Sequence, residues 1–301
     1  MYEQIARNKR RTFLILFFFV GLVMAVVVAF NLLFNWGPVG FVVAFVVAGG
    51  LAFFSYFKSD KIALRASRAQ PADENEYRRY HNLVEGLVIA AGLPKPRLYV
   101  VDDPAPNAFA TGRNPKHAAL AVTTGLLNKM NRVELEGVIA HELAHVKNYD
   151  ILVTTIAVLA VGVIALLADV GLRFAFWGGM RGRRDHAGDN GIGALLAILS
   201  LALLVLAPLI GYFMQAAMSR NREFLADASG VQLTRYPPGL MSALEKLRDD
   251  QAVVHYATKA TAQMWIEQPL ETHVDNRSSR INRLFDTHPP LEERIQRLKE
   301  M

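Results

Sequence analysis

The residues His141-Glu142-Leu143-Ala144-His145 match the pattern H-E-x-x-H, in which two histidines stand four positions apart. On a helix these positions share one face, so both imidazoles can point at a single ion. The glutamate beside the first histidine then lies next to the ion, where it can accept a proton from an attacking water. Two histidines on a solvated or packed helix face are the alternative. We interpret His141 and His145 as metal ligands and Glu142 as a general base.

A third ligand is needed, because catalytic zinc usually takes three protein ligands and leaves one position open. The metzincin pattern would require a glycine at position 148 and a histidine at position 151, but the chain has Asn148 and Ile151. Cysteine is absent, which excludes thiolate ligands. A later segment supplies Glu223, which we predict as the third ligand. Asp227 lies one turn further on and is predicted to accept the ring N–H of a zinc histidine. The same two residues also fit a charged, solvated helix beside a membrane, and their spacing alone leaves that alternative open.

Four long apolar runs interrupt the chain, which is 52% hydrophobic and only 20% charged. About 20 apolar residues suffice to cross a bilayer, whereas the core of a signal peptide spans roughly 7–15. We therefore predict a retained transmembrane hairpin at the N-terminus and two later spans. The runs cover residues 13–34, 39–57, 151–168 and 192–218.

The formal net charge is +6, and the basic residues flank the apolar runs. This placement indicates a lipid bilayer as partner and argues against nucleic acid. Clusters of Lys and Arg precede the first run and follow the second, so the positive-inside rule places both flanks in the cytoplasm. The loop between the third and fourth runs is also basic. If both runs crossed the membrane, this basic loop would lie on the side opposite the cytoplasm, against the positive-inside rule. Whether both runs cross fully therefore stays open.

The chain divides at these runs. Residues 1–70 form the predicted hairpin, 71–150 the first part of a catalytic domain, 151–218 the later spans with their loop, and 219–301 the second part of the domain. Within the domain, the patterns predict helices over 74–91, from near Asn131 and from about Pro290, with strands over 97–101 and 118–123. The motif ends six residues before the third run and Glu223 follows the fourth by five, so we expect the site at the membrane surface.

The chain resembles the HtpX family of bacterial membrane proteases, which are related to the eukaryotic CAAX prenyl proteases. The resemblance covers essentially the whole chain and rests on several motifs together: N-A-F-A-T-G at 107–112, H-E-L-A-H at 141–145, the Glu223 to Asp227 segment and D-T-H-P-P at 286–290. It implies one zinc ion per subunit and endopeptidase activity on misfolded or membrane-associated polypeptides. It also implies a role in envelope quality control under stress, in the bacterial inner membrane with the catalytic domain facing the cytoplasm. Nothing in the sequence indicates an oligomeric state.

The predicted fold class is a membrane α-helical anchor of four hydrophobic segments that carries an α+β, zincin-like, mostly helical metalloprotease domain. Two further stretches each have two interpretations. The resemblance associates Asn107, Ala108 and Phe109 with the substrate cleft, where an edge strand could pair with an extended substrate, but an ordinary turn fits as well. His288 is assigned to oxyanion stabilisation or substrate binding, or else to the start of the last helix.

Two rival functions belong to other classes, a membrane scaffold and a transporter, and one variant lies within the protease class. A non-cleaving membrane scaffold with a zinc site would not need Glu142. A prenyl-protein protease is the nearest variant, but four spans leave little room for a large enclosed chamber. A transporter would need ionisable residues inside its spans, and the four runs contain no Asp, Glu, Lys, Arg or His in their interiors.

Overall fold

The structure is a computed structural model, and it describes residues 2–34, 37–156, 169, 198, 220–250, 252–256, 264–267 and 289–301. His288 and most of the third and fourth apolar runs lie outside these residues. The chain divides into two compact units. The larger unit comprises Met1–Thr12, Phe57–Thr155 and Gln215–Met301, and the smaller comprises Phe13–Tyr56 and Ile156–Met214.

Two long helices contain the first two apolar runs. They are α1 (Tyr2–Phe34) and α2 (Pro38–Ala66), separated by a turn in which Gly37 has φ +63°. Within the described part of the chain, no single helix is both long and apolar enough for a membrane span. Two arms of α2, Pro38–Leu51 and Tyr56–Ala66, meet that requirement only as a pair, with a 60° bend between them. The four-segment membrane anchor therefore stays a prediction.

A four-stranded sheet lies in the larger unit. Its strands are β1 (Gln70–Pro71), β2 (Arg97–Val101), β3 (Ala108–Gly112) and β4 (Ala118–Thr123), and their order across the sheet is β1-β2-β4-β3. β2 and β4 run parallel, whereas β1 and β3 are antiparallel to their neighbours. The two predicted strands are confirmed as β2 and β4. The stretch after Asn107 forms a further strand that is buried along its whole length, so the interpretation of an ordinary turn there is wrong.

Six further α-helices lie in the larger unit among its described residues: α3 (Arg78–Ala91), α4 (Thr124–Lys129), α5 (Arg132–Lys147), α6 (Arg220–Thr234), α7 (Pro237–Asp249) and α8 (Leu291–Lys299). The helix predicted over 74–91 begins four residues later. The reason is local: the Asp73 side chain accepts the backbone N–H groups of Asn75 and Glu76, which holds the preceding residues in a turn. The predicted end at residue 91 is confirmed, and Gly92 follows the helix with φ +65°.

α5 carries the H-E-x-x-H motif and lies at the centre of the unit. It begins with a capping box, because the Asn131 side chain accepts the N–H of Glu134 and the Glu134 carboxylate accepts the N–H of Asn131. α3, α6, α7 and β3 all pack against it. Two glycines permit a close approach. A Cβ at Gly137 would lie 2.7 Å from the backbone nitrogen of Leu240 on α7, and one at Gly230 on α6 would lie 3.0 Å from that of His141.

Candidate metal centre

The two histidines of the motif face each other on one side of α5. Their Nε2 atoms are 3.1 Å apart, and their rings meet edge to face with centroids separated by 4.7 Å. His141 is fully buried, while the His145 side chain is 15% exposed. Both rings therefore direct Nε2 toward one point and leave Nδ1 for other partners, which is the arrangement expected of imidazole ligands that share an ion.

Glu223 on α6 completes a group of three. Its Oε2 lies 3.6 Å from Nε2 of His141, and its Oε1 lies 3.6 Å from Nε2 of His145. In a tetrahedral zinc site with bonds of about 2.0–2.1 Å, neighbouring ligand atoms are about 3.3 Å apart. The separations found here agree with that spacing to within a few tenths of an ångström. Among the described residues, this is the only group of three whose ligand atoms lie within 4.8 Å of one another. The donors thus fit a zinc ion.

Asp227 lies one helical turn beyond Glu223, and the structure places it beside the first histidine. Its Oδ1 is 2.8 Å from Nδ1 of His141. A carboxylate in this position accepts the ring N–H, which fixes the tautomer and leaves Nε2 free to bind metal. The short approach of α6 to α5 at Gly230 is what allows this contact, because a side chain there would push the two helices apart.

Arg294 was not singled out by the sequence, yet it is fully buried beside this pair. Its Nε donates to Oδ2 of Asp227 at 2.9 Å and its Nη2 to Oδ1 at 2.7 Å, so the contact is bidentate. A third group, Nη1, donates to the carbonyl of Ile266 at 3.3 Å. The last helix of the chain is therefore joined directly to the carboxylate that orients His141.

Asp150 contacts Nδ1 of the second histidine, as Asp227 does for the first, and it was likewise not predicted from the sequence. Its Oδ2 lies 3.1 Å from Nδ1 of His145. The other oxygen, Oδ1, accepts from Nδ2 of Asn8 at 2.7 Å and from Nη1 of Arg222 at 3.3 Å. Each metal-facing imidazole thus has its own carboxylate on the opposite nitrogen, a common feature of histidine–metal sites.

The site carries an excess of negative charge around its histidines, which favours binding of a cation. Burial lowers the pKa of His145, but neighbouring carboxylates outweigh that effect and raise its pKa to about 9. The carboxylates that do so belong to Glu223, Asp150 and Glu142. Glu142 is itself buried, at 2% exposure, next to His141 in the chain. A divalent ion bound here would take the place of the imidazole proton as the positive charge that these carboxylates stabilise.

Charge around the first histidine is more evenly balanced. Burial and the cationic Arg294 lower the pKa of His141, but Asp227 and Glu223 together raise it above its usual value. Burial raises the pKa of Asp227, yet Arg294 and His141 outweigh burial and lower that pKa to about 2. Asp227 is therefore a fixed anion that stays charged over the whole physiological range.

Asn107, Ala108 and Phe109 are buried, with at most 2% exposure, and lie against a segment from later in the chain. The Asn107 side chain caps the N–H of Ala108 and donates to the carbonyl of Glu267 at 3.1 Å. The N–H of Ile266 donates to the carbonyl of Ala108 at 2.9 Å, and the rings of Phe109 and Trp265 have centroids 4.7 Å apart. This segment thus covers the outer edge of β3 next to α5. Binding of substrate there stays a prediction, as does the role of His288.

Comparisons with known proteins find relatives along the whole chain. The sequence profile of Peptidase family M48 matches residues 74–301. A protease HtpX homolog of Caldanaerobacter subterraneus subsp. tengcongensis is 44% identical over 301 residues, with 100% of this chain and 98% of the relative covered. A protease HtpX homolog of Streptococcus gordonii is 41% identical over 302 residues and covers 100% of both chains.

One solved structure resembles the fold at low sequence identity. The crystal structure of S. mikatae Ste24p superposes with a TM-score of 0.50 at 17% identity, covering 99% of this chain and 67% of that one. At this identity the likeness concerns the fold alone. It confirms the mostly helical α+β, zincin-like architecture of the catalytic domain. Taken with the relatives of more than 40% identity along the full chain, the family match leads to one conclusion: the chain belongs to Peptidase family M48, among the HtpX proteases, and is a metalloprotease.

Proposed function

We propose that this protein is a membrane-anchored zinc endopeptidase that cleaves misfolded or membrane-associated polypeptides on the cytoplasmic face of the bacterial inner membrane, as part of envelope quality control. The observation that carries the proposal is the group of donor atoms formed by His141, His145 and Glu223. The two Nε2 atoms are 3.1 Å apart, and each lies 3.6 Å from a different carboxylate oxygen of Glu223. The dimensions of this group fit one zinc ion with a position left for water or substrate.

The chemistry divides between the metal and the protein. Zinc, when bound, polarises the scissile carbonyl and makes water a better nucleophile at neutral pH. Glu142 adjoins the first ligand and is buried, so its carboxylate can accept the proton from the attacking water and deliver it to the leaving amine. Asp227 orients the imidazole of His141 through its Nδ1 atom, and Asp150 orients that of His145 in the same way. These two carboxylates act by orientation and take no part in proton transfer.

Substrate binding is proposed for the region around β3, which packs against the motif helix. Asn107, Ala108 and Phe109 form the wall of the cleft in this proposal. An extended substrate backbone pairs beside them as an added strand, in place of the 264–267 segment that covers this edge in the structure. His288 precedes Pro290, the N-cap of α8, by two residues. In this proposal it stabilises the oxyanion or binds substrate. Strand pairing depends on hydrogen bonds to the substrate backbone and little on its side chains, so this binding mode suits an enzyme with many polypeptide substrates.

Membrane anchoring is proposed from the surface of the two N-terminal helices. Large apolar side chains on α1 and α2 stand well exposed, at 64% for Phe17, 70% for Phe18, 70% for Phe45 and 66% for Phe53. Contiguous apolar surface of this kind marks a membrane or protein contact in a folded chain. Together with the basic residues that flank both runs, it favours a bilayer with those flanks on the cytoplasmic side.

The test is cleavage by the full-length protein in detergent after its metal has been removed with a chelator and then restored. Two substrates are compared, casein and an unfolded membrane protein. The proposal predicts no cleavage of either by the chelated protein and recovery on addition of about one equivalent of zinc per chain. If zinc binds at that stoichiometry but neither substrate is cut, a non-cleaving scaffold with a zinc site becomes the better account.

A further inference from the structure

One side of α1, ahead of the first apolar run, packs into the larger unit through Asn8 and Thr12. Asn8 is only 1% exposed. Its side-chain amide donates twice, to the backbone carbonyl of Asn148 at 2.9 Å and to Oδ1 of Asp150 at 2.7 Å. The two amide hydrogens of this buried side chain thus both donate to residues that closely follow α5. This pairing makes the contact specific.

The turn that Asn8 contacts, at residues 148–149, follows the motif helix at once. Asn148 is the C-cap of α5, and Tyr149 has φ +60°, a left-handed conformation that a bulky residue rarely adopts. The ammonium of Lys9 lies over the Tyr149 ring, 4.8 Å from its centroid. Two adjacent residues of α1 therefore contact this turn and the residue after it, and hold the turn in a conformation that it would not favour alone.

Asp150, which follows the turn at 148–149 and begins the next helical stretch, connects the turn to the metal centre. Asp150 presents one oxygen, Oδ2, to Nδ1 of His145 at 3.1 Å. Its other oxygen, Oδ1, is fixed by Asn8 and, at 3.3 Å, by Arg222. A carboxylate held by two donors on one oxygen can aim the other oxygen in a constant direction. The orientation of the His145 ring thus depends on a chain of contacts that starts in α1.

We propose that Asn8 is a positioning residue of the metal centre: through Asn148 and Asp150 it orients the imidazole of His145, so the N-terminal segment before the first apolar run is an integral part of the active site. The inference rests on the proposed role of His145 as a metal ligand. It predicts that damage to this segment weakens metal binding directly, beyond any effect on anchoring in the membrane.

The experiment measures zinc affinity and the rate of zinc release to a chromogenic chelator, using the full-length protein in detergent. Asn8→Ala is compared with Arg10→Ala, a matched control because Arg10 lies exposed on the same helix. Partners that orient a ligand from behind typically contribute 10–100-fold to metal affinity. We expect Asp150→Ala, which removes the direct partner of His145, to lose about 10–100-fold in zinc affinity. Asn8→Ala, one contact further away, should lose up to about 10-fold and alter the visible spectrum of the cobalt-substituted protein. Arg10→Ala should change neither.

A double variant separates positioning from general packing. If Asn8 acts through Asp150, then Asn8→Ala should add little to the loss of zinc affinity already caused by Asp150→Ala. Full additivity of the two losses would indicate an independent structural role and overturn the proposal. Asn8→Ser covers the case in which Asn8→Ala does not fold: its single hydroxyl can serve only one of the two acceptors, so an intermediate loss of affinity is expected. Zinc affinity equal to wild type in Asn8→Ser would contradict the proposal.

The same measurement distinguishes failure of this inference from failure of the proposed function. A wild-type protein that binds zinc while its Asn8 variants bind it equally well overturns the positioning role alone. A wild-type protein that retains no zinc overturns both.

Discussion

The guanidinium of Arg294 donates two parallel hydrogen bonds, of 2.9 and 2.7 Å, to the carboxylate of Asp227, and neither residue is more than 2% exposed. The same carboxylate contacts Nδ1 of His141 at 2.8 Å. The C-terminal helix α8 therefore does more than close the core. It supplies the cation that keeps Asp227 ionised and aimed at the first histidine.

Replacing Arg294 with alanine should destabilise the fold, because it leaves a buried carboxylate without its charge partner. Loss of one member of a buried pair typically costs about 3–5 kcal/mol. Arg294→Lys should recover only part of that, since an ammonium cannot form the bidentate contact. Chemical denaturation of the detergent-solubilised protein measures the change.

The control for this pair is Lys299→Ala, a change at an exposed cation on the same helix. Its effect should stay within about 0.5 kcal/mol. An Arg294→Ala protein as stable as the Lys299→Ala protein would show that the buried pair contributes nothing to folding.

Stability should fall in acid partly through Glu134, the residue that closes the cap of α5. Burial raises the pKa of Glu134, but hydrogen bonds from Lys246, the backbone of Asn131 and Ser242 outweigh it and lower that pKa below its usual value. The folded state therefore binds fewer protons than the unfolded one as the pH drops. The contribution of Glu134 is fully present above its unfolded pKa, about 4.3, and is lost as the pH falls through the lower folded pKa.

Measurement of the free energy of unfolding between about pH 6 and pH 3 tests this, since the window spans the unfolded pKa of a glutamate. Glu134→Gln should flatten the fall in stability at the acid end. Lys246→Met should flatten it too, because Lys246 donates to the carboxylate at 2.7 Å. A Glu134→Gln curve parallel to that of wild type would rule out this source of the pH dependence.

Two glycine-to-alanine changes on helices should have opposite effects on stability. At Gly137 a Cβ would lie 2.7 Å from the nitrogen of Leu240, so backbone of α5 or α7 must move. Overpacking of this kind costs about 1–3 kcal/mol. At Gly86 in α3 a Cβ meets nothing within 4 Å. There the substitution should stabilise by about 0.5–1 kcal/mol, because alanine loses less conformational freedom in a helix. Thermal unfolding of the two variants beside wild type decides; equal shifts of the same sign would contradict the packing described for α5.

The elements that the sequence predicted best are those with local causes. The helix of the H-E-x-x-H motif begins near Asn131, as expected, because a capping box requires only residues three apart. The strands over 97–101 and 118–123 came out with the predicted bounds, since apolar runs between turn residues specify them locally. β3 was harder to predict because it is buried on both faces, so it has no alternation of polar and apolar residues.

The residues that escaped prediction are held by contacts between distant parts of the chain. Asp150 reaches its donors Asn8 and Arg222 across 142 and 72 residues, and no sequence spacing reports such a contact. The burial of Arg294, in contrast, could have been predicted from its position in the sequence. This residue lies three residues after Leu291 and four before Leu298, on the apolar face of α8, and all three side chains are buried. A charged residue on the buried face of a helix needs a partner, and that partner is Asp227.

The measurement that tests the central claim most directly compares wild type with Glu142→Gln, following zinc content and casein cleavage in the same samples. The glutamine keeps the shape of the side chain but cannot accept a proton. Both proteins should hold about one zinc per chain, as three-ligand sites do, while cleavage by the variant should fall about 10²–10⁴-fold. A Glu142→Gln protein that keeps its zinc and cleaves casein at the wild-type rate would contradict the assignment of Glu142 and, with it, the mechanism proposed for this site.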